Sequence, residues 1–61
     1  RGTDRNLKQF LEIALGSSFE LETQLILVQK IYLQFQGKVA LLLLQIDEIQ
    51  KMLIAFINTI K

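Results

Sequence analysis

Cysteine, histidine and proline are all missing from this chain of 61 residues. Without cysteine no disulfide can form, and without cysteine or histidine the common zinc and other transition-metal sites are excluded. Small domains often depend on such crosslinks because they bury little apolar surface. The absence of proline leaves three glycines as the main interruptions of regular structure. We therefore expect neither a metal nor a cofactor.

Long hydrophobic runs are missing too, although 51% of the residues are hydrophobic. The longest runs, residues 39–44 and 52–57, fall far short of the roughly 18 residues that a membrane-spanning helix needs. No signal peptide is visible, so we expect a cytoplasmic protein without a membrane partner. The surplus of apolar residues predicts association with other chains instead.

A regular spacing of apolar and small residues predicts a first helix over about residues 3–33. Thr3 suits its N-cap, because the hydroxyl can accept a hydrogen bond from the exposed amides of the first turn. Asp4 suits the positive end of the helix dipole. Steps of four and three residues alternate without a break, which is typical of one packed seam along a helix. The seam consists of Leu7, Leu11, Ala14, Ser18, Leu21, Leu25, Val28 and Tyr32.

A turn is predicted at about residues 34–37, where Gly37 is the only plausible interruption, and a second helix at about residues 38–61. Such a short connection makes the two helices antiparallel neighbours, so the fold class is all-α, an antiparallel helical hairpin. The second helix repeats the three-four spacing of the first. Its seam consists of Val39, Leu42, Ile46, Ile49, Leu53, Phe56 and Ile60.

The register of this hairpin follows from its turn, since facing residues should have numbers that sum to about 71. Gly16 then lies opposite Ala55, and because a glycine within a helix costs roughly 1 kcal/mol relative to alanine, we expect it to permit a close helix crossing. Lys51 lies opposite Glu20 as a candidate ion pair, worth at most about 1 kcal/mol if exposed. Asp47 and Lys51 are also spaced for an i,i+4 pair on one helix.

Each helix also carries a second, patchier apolar stripe. Glu22 interrupts this stripe on the first helix, and Asp47 and Gln50 interrupt it on the second. Because a hairpin can hide only one stripe per helix, the second stripes predict contacts with further helices. They consist of Leu15, Phe19 and Ile26 on the first helix and Leu43, Ile54 and Ile57 on the second. The candidate oligomer contacts among them are Phe19, Leu43, Ile54 and Ile57.

Two segments resemble the signature of a known bacterial family. The first is residues 13–25, IALGSSFELETQL, and the second is residues 47–53, DEIQKML, which is similar to an acidic-Ile-x-Lys-Met-Leu segment of the family's last helix. The opening Arg1-Gly2-Thr3 resembles the end of a glycine-rich connection before the family's third helix. Over its whole length the chain therefore resembles the 23S rRNA intervening-sequence proteins, which are encoded in segments that interrupt some bacterial 23S rRNA genes.

The resemblance implies the C-terminal half of a four-helix bundle that assembles into a homo-oligomeric ring, commonly a five-fold one (a pentamer). It brings no known enzymatic activity, and the family's biological role is unsettled. The family's first two helices have no counterpart here and the chain opens on Arg1, so we expect N-terminal sequence to be missing. Leu43, Leu44 and Ile54 stand where relatives more often carry polar residues, which makes the last helix unusually apolar.

The residues give no sign of catalysis. Ser17 and Ser18 lie in the middle of a helix with no histidine to activate them, and their small size suits a tight helix contact. Bundle di-iron sites need Glu-x-x-His pairs, which are absent, so solvated faces and ion pairs better explain the carboxylates. These carboxylates are Glu20, Glu22, Asp47 and Glu48. We expect no enzyme and no small-molecule substrate.

Positive charge gathers at one end of the hairpin, although seven Lys+Arg against six Asp+Glu leave a net charge of only +1. A helix N-terminus favours phosphate, and a ring would repeat the cluster around one rim. The candidate nucleic-acid-binding residues are Arg1, Arg5, Lys8 and Lys61. A solvated helix end, partly neutralised by Asp4 and Glu12, is the simpler interpretation.

Three hypotheses follow for the function. The leading one is a non-enzymatic structural protein that forms a homo-oligomeric helical bundle, with RNA or DNA bound along a basic rim. The alternative is a protein–protein interaction module, such as an adaptor or an antitoxin-like hairpin. A decayed remnant without function fits the missing half equally well, and an enzyme is the least favoured class.

Overall fold

The chain folds into an antiparallel hairpin of two long helices. The computed structural model describes residues 2–60, with side chains from Asp4 onward. Helix α1 spans Gly2–Ile31, a short 3₁₀ turn spans Leu33–Phe35, and helix α2 spans Gln36–Thr59. No strand occurs in this part of the chain, so the prediction of an all-α hairpin is confirmed. The particle measures 48 × 15 × 10 Å, which is one helix long and one helix thick.

The connection lies earlier than predicted and does not use the glycine. The amide of Tyr32 donates to the carbonyl of Val28 at 2.7 Å, and the amide of Phe35 donates to the carbonyl of Tyr32 at 3.0 Å. None of the described residues has a positive φ, so this turn needs no residue with the conformational freedom of glycine. Gly37, expected in the turn, lies in the first turn of α2.

Side chains close the turn from both sides. Gln29 and Gln36 form a reciprocal pair, in which each Nε2 donates to the other residue's backbone carbonyl at 3.5 Å, a long and weak hydrogen bond. The rings of Tyr32 and Phe35 lie 6.5 Å apart between centroids, tilted by 48°, a common geometry for an aromatic pair. These contacts hold the two helix ends together where a tight glycine turn was expected.

The shielded side chains form one line along each helix, with steps of three and four residues. Three of the described residues are buried, namely Val39, Ile46 and Gln50. The other shielded residues are half-buried. On α1 they are Lys8, Leu11, Leu15, Ser18, Glu22, Leu25, Val28 and Gln29, and on α2 and just after it they are Leu43, Leu53, Ile57 and Ile60. We call these residues together the seam.

The observed seam differs from the predicted one by a rotation of both helices. Positions such as Leu11, Ser18 and Leu25 are shared. The positions that alternate with them are shifted by one residue, for example from Ala14 to Leu15 and from Leu21 to Glu22. A shift of every second position by one residue corresponds to a turn of about 50° around the helix axis. The hairpin therefore closes on lines between the predicted seams and the patchier stripes. Predicted seam residues such as Leu21 and Ile49 face outward.

Candidate interaction surface

One broad apolar surface of the hairpin has no covering helix within the described part of the chain. Its residues lie next to the seam and are turned away from it in the same direction around both helix axes. In an antiparallel pair such residues lie on the same side of the hairpin. Every one of these residues is exposed. They are Leu7, Phe10, Ala14, Ser17, Leu21 and Gln24 on α1 and Lys38, Leu42, Gln45, Ile49, Met52 and Phe56 on α2. We call this surface the open face.

The open face carries one charged residue, Lys38. The chain has 13 charged residues, seven basic and six acidic, and the other twelve occupy other positions. Lys38 lies near the turn, seven residues before Gln45 and therefore in line with it on α2. The large side chains on it are substantially exposed, from 39% for Leu7 to 68% for Phe10. A surface of this length and apolarity is typical of a site that binds another protein surface.

The opposite side of the hairpin mixes apolar and charged residues. Phe19 and Ile54, two of the predicted oligomer contacts, are exposed there at 47% and 43%. Glu12 and Asp47 fall on the same side by helical geometry. Burying this side against another helix would remove charged groups from water as well as apolar ones.

The other two predicted oligomer contacts belong to the seam. Leu43 and Ile57 are half-buried between α1 and α2, whereas the sequence placed them on a stripe that the hairpin could not hide. The difference arises because the side of α2 that faces α1 is about 50° away from the predicted one and includes Leu43 and Ile57. Leu43 and Ile57 therefore stabilise the hairpin itself.

Polar residues occupy the centre of the seam. Gln50 is only 7% exposed, and its Nε2 donates to Oε1 of Glu22 at 3.2 Å. The two residue numbers sum to 72, so the predicted register of about 71 is confirmed at this point. Both residues had been taken as interruptions of an outward stripe, and their pairing across the seam was missed. A search for polar residues facing each other in the predicted register could have found it.

Of the two charge pairs predicted for Lys51, the structure contains the one with Asp47. Nζ of Lys51 lies 3.0 Å from Oδ2 of Asp47, which confirms the i,i+4 pair on α2. With its ammonium on Asp47, Lys51 does not form the expected bridge to Glu20. Both members of the observed pair are largely exposed, so the pair contributes little to stability.

The expected close crossing of Gly16 with Ala55 is not found within the hairpin. Both residues are exposed, and a Cβ added to Gly16 would meet no atom within 4 Å. The reason is that the observed seam passes through Leu15 and Leu53, so that Gly16 and Ala55 lie outside it. A role for this pair in packing against another helix stays a prediction.

The predicted nucleic-acid residues lie at the end of the hairpin away from the turn. Arg5 is exposed, and Lys8 is half-buried at the end of the seam. Arg1 and Lys61 lie outside the described residues. The antiparallel arrangement brings Ile60, just after the end of α2, to the end where α1 begins. Arg5 and Lys8, the two described members of the cluster, thus lie at one end of the hairpin, near Asp4 in the sequence.

The described residues offer no second candidate site near Ser18, and the hydrogen bond of its hydroxyl shows why. Oγ of Ser18 donates to the carbonyl of Leu15 at 2.6 Å, so this hydroxyl is engaged by its own helix. Within residues 2–60 no three acidic side chains come together as metal ligands would. Neither α1 nor α2 has an apolar stretch long enough to span a membrane.

Comparison with known protein families gives one decisive match. The family model of the 23S rRNA-intervening sequence protein matches residues 1–55. The chain belongs to this family. The matched region of this intervening-sequence protein includes both segments, 13–25 and 47–53, on which the resemblance rested. Searches of curated proteins and of solved structures found no match.

Proposed function

We propose that this intervening-sequence protein is a non-enzymatic structural protein that acts as part of a homo-oligomeric helical bundle. The observation that carries the proposal is the open face, a largely apolar surface with a single charged residue that extends along both helices. Burying apolar surface yields about 25 cal/mol per Å², so each of its half-exposed large side chains would contribute roughly 2 kcal/mol on assembly. Among the described residues the hairpin by itself buries only Val39, Ile46 and Gln50.

The architecture that the family resemblance suggests agrees with this proposal. A four-helix bundle would supply two further helices for the open face, and a five-fold ring would repeat the hairpin ends around a rim. In the antiparallel hairpin α1 and α2 lie side by side in one layer, which is half of such a bundle. We include both features, the bundle and the ring, in the proposal.

The mass of the protein in solution tests this proposal. Light scattering coupled to gel filtration, at several concentrations, should give one fixed mass several times that of the chain. A helical monomer at every concentration would contradict it and favour the alternative, a protein–protein interaction module such as an adaptor or antitoxin-like hairpin. That alternative predicts a larger species only when a different protein is added.

A second part of the proposal is RNA or DNA binding at the basic end of the hairpin. The exposed side chain of Arg5 supports it, together with the antiparallel arrangement that returns the chain to this end before Lys61. Each phosphate contact releases counterions, so binding through this end should weaken steeply as salt increases. Assembly would place several such ends near each other and raise the apparent affinity.

Four substitutions test the basic end. Changing Arg1, Arg5, Lys8 and Lys61 together to glutamine should abolish binding of labelled single-stranded RNA and duplex DNA in fluorescence anisotropy at low salt. A matched variant removes charge from the other end through Lys30→Gln and Lys38→Gln, two exposed lysines near the turn. Binding that survives the first variant, falls equally in the second, or does not depend on salt would overturn this part of the proposal.

A further inference from the structure

We infer that the end of the hairpin that contains the turn docks on an anionic membrane and inserts its tip among the lipids. We call residues 26–44 the turn end. The inference goes beyond the proposed structural role and does not depend on the oligomeric state. Three properties of the turn end support it: apolar side chains on all of its sides, the absence of acidic residues, and two exposed lysines near its tip.

Exposed apolar side chains are concentrated at the turn end. It holds nine of the 18 large hydrophobic residues that are exposed among those described, in about a third of the described chain. They are Ile26, Leu27, Ile31, Tyr32, Leu33, Phe35, Leu41, Leu42 and Leu44. Leu33, within the 3₁₀ turn itself, is 67% exposed. This end therefore presents an apolar tip to its surroundings.

The apolar residues of the turn end surround it instead of forming a single face. Leu27 and Ile31 on α1 and Leu41 and Leu44 on α2 lie on the outer edges of the hairpin, opposite the seam, by helical geometry. They are between 48% and 66% exposed. A protein layer packed on the open face would leave both outer edges in water. A fluid lipid surface, in contrast, covers all sides of an inserted end at once.

The outer edges change character along the hairpin. Glu20 lies seven residues before Leu27 and therefore in line with it on the edge of α1. Glu48 lies seven residues after Leu41, in line with it on the edge of α2. Both glutamates are exposed. Each edge thus changes from acidic to apolar toward the turn, as expected for an end that enters lipid while the rest stays in water.

The charges of the turn end favour an anionic surface. No acidic residue lies between Glu22 and Asp47, and the only charged residues in this stretch are Lys30 and Lys38, both exposed. Anionic lipids attract lysines near the membrane surface and repel carboxylates. At 1.5 Å per residue, Glu22 and Asp47 lie about 17 Å from the tip. Insertion by roughly 10 Å, as is typical of interfacial helices, would therefore leave every carboxylate in water.

The polar groups of the turn end suit this position. The long side chains of Lys30 and Lys38 can extend toward lipid headgroups while their methylene stems cover apolar surface. Tyr32 combines an apolar ring with a hydroxyl, as is common at membrane interfaces. The side-chain amides of Gln29 and Gln36 donate to each other's carbonyls, which reduces the number of free polar groups. The expectation of no membrane partner rested on the lack of a spanning segment, and contact with one leaflet needs none.

Flotation with lipid vesicles tests the inference. The protein should bind vesicles of phosphatidylcholine and phosphatidylserine at least several-fold more tightly than vesicles of phosphatidylcholine alone. Ile31→Gln should weaken this binding about tenfold, because it removes an apolar side chain from the lipid. The matched control is Ile13→Gln, which changes an isoleucine on the same edge of α1 far from the turn, 57% exposed against 66% for Ile31. The control variant should bind as the unmodified protein does.

The lysines test the preference for anionic lipid. Changing Lys30 and Lys38 together to glutamine should lower binding to the mixed vesicles about tenfold, to the level seen with phosphatidylcholine alone. Changing Arg5 and Lys8 together to glutamine removes the same amount of charge from the other end and should leave binding unchanged. Equal losses in the two variants would show that the net charge of the chain, and not the turn end, determines binding.

A fluorescent reporter measures insertion itself. The chain has no tryptophan, so Leu33→Trp at the tip and Ile13→Trp far from it each introduce a unique indole. With vesicles that contain brominated phospholipid, the indole of Leu33→Trp should be quenched at least several-fold more strongly than that of Ile13→Trp. Equal quenching of the two, or none in either, would overturn the inference.

The outcomes separate this inference from the proposed function. If the protein does not bind the mixed vesicles, or if Ile13→Gln weakens binding as much as Ile31→Gln, the inference fails. If Ile31→Gln lowers the mass in light scattering and no variant binds vesicles, the turn end is a contact between proteins, so the inference fails while the structural role stands. A helical monomer whose Leu33→Trp variant is quenched would support the inference and contradict the homo-oligomeric function.

Discussion

Gln50 and Glu22 are joined by a hydrogen bond across the two helices, from Nε2 of the amide to Oε1 of the carboxylate at 3.2 Å. The bond lies among apolar residues of the seam, where Gln50 is buried and Glu22 half-buried. A polar pair in an apolar seam contributes little net stability but fixes register, because any slip would leave both groups without a partner. We take it as the residue pair that aligns α1 with α2.

Removing one partner of this pair should destabilise the hairpin. Gln50→Leu leaves the Glu22 carboxylate half-buried without its donor, which should lower the free energy of unfolding by about 1–2 kcal/mol. The double variant Glu22→Leu, Gln50→Leu should recover that loss, since an apolar pair of similar size satisfies the seam. Urea unfolding at one fixed protein concentration measures both. Additive effects in this double-mutant cycle would mean that the two residues do not interact.

Gly16→Ala should stabilise the protein. The glycine lies inside α1 with no atom within 4 Å of an added Cβ, so alanine gains roughly 1 kcal/mol of helix propensity without a clash. Thermal unfolding followed by circular dichroism at several protein concentrations gives the change. A loss of stability that accompanies dissociation would instead place another helix against Gly16, as the sequence suggested.

Ile46→Ala should be among the most damaging single truncations. Ile46 is one of the two apolar residues that are buried among those described, so the variant loses apolar contacts and leaves a cavity, at a cost of about 2–4 kcal/mol. The matched variant Ile13→Ala truncates an isoleucine that is 57% exposed and should cost much less. Denaturant unfolding compares the two. Similar losses would indicate that Ile13 is covered by another helix in the folded protein.

The Asp47–Lys51 pair should matter little. Lys51→Met removes the ammonium 3.0 Å from Asp47 on the surface of α2 and should change the free energy of unfolding by less than about 0.5 kcal/mol. Added salt should shrink even this difference, because exposed charges are screened. A larger effect that persists at high salt would show that the pair is buried by an assembly contact.

The spacing of apolar residues was enough to predict the helices and their antiparallel arrangement, but not which line of each helix faces the other. Both lines step by three and four residues, so the period alone cannot distinguish them. The prediction chose the more apolar line, through Leu21 and Ile49. The hairpin uses the line through Glu22 and Gln50, where a hydrogen bond satisfies the polar groups, and leaves the more apolar line exposed.

The turn lies slightly earlier than predicted, for a different reason. Glycine is a strong turn signal only where the backbone needs a positive φ, and this connection has none among the described residues. The contacts of Gln29 with Gln36 and of Tyr32 with Phe35 stabilise it instead. Such contacts form between side chains that are brought together only after the hairpin closes, so local composition could not reveal them. The open face was missed because the sequence analysis assigned several of its residues, such as Leu21 and Ile49, to the contact between the helices.

The thinness of the hairpin has a consequence for how the cell can control it. A particle 10 Å through its shortest dimension has no interior layer that stays dry when the chain is alone. If folding is completed by a second copy, the folded fraction rises with the total amount of protein, by mass action. Synthesis and degradation would then set the population of the native form, and at low abundance proteolysis would remove the chains that have not met one another.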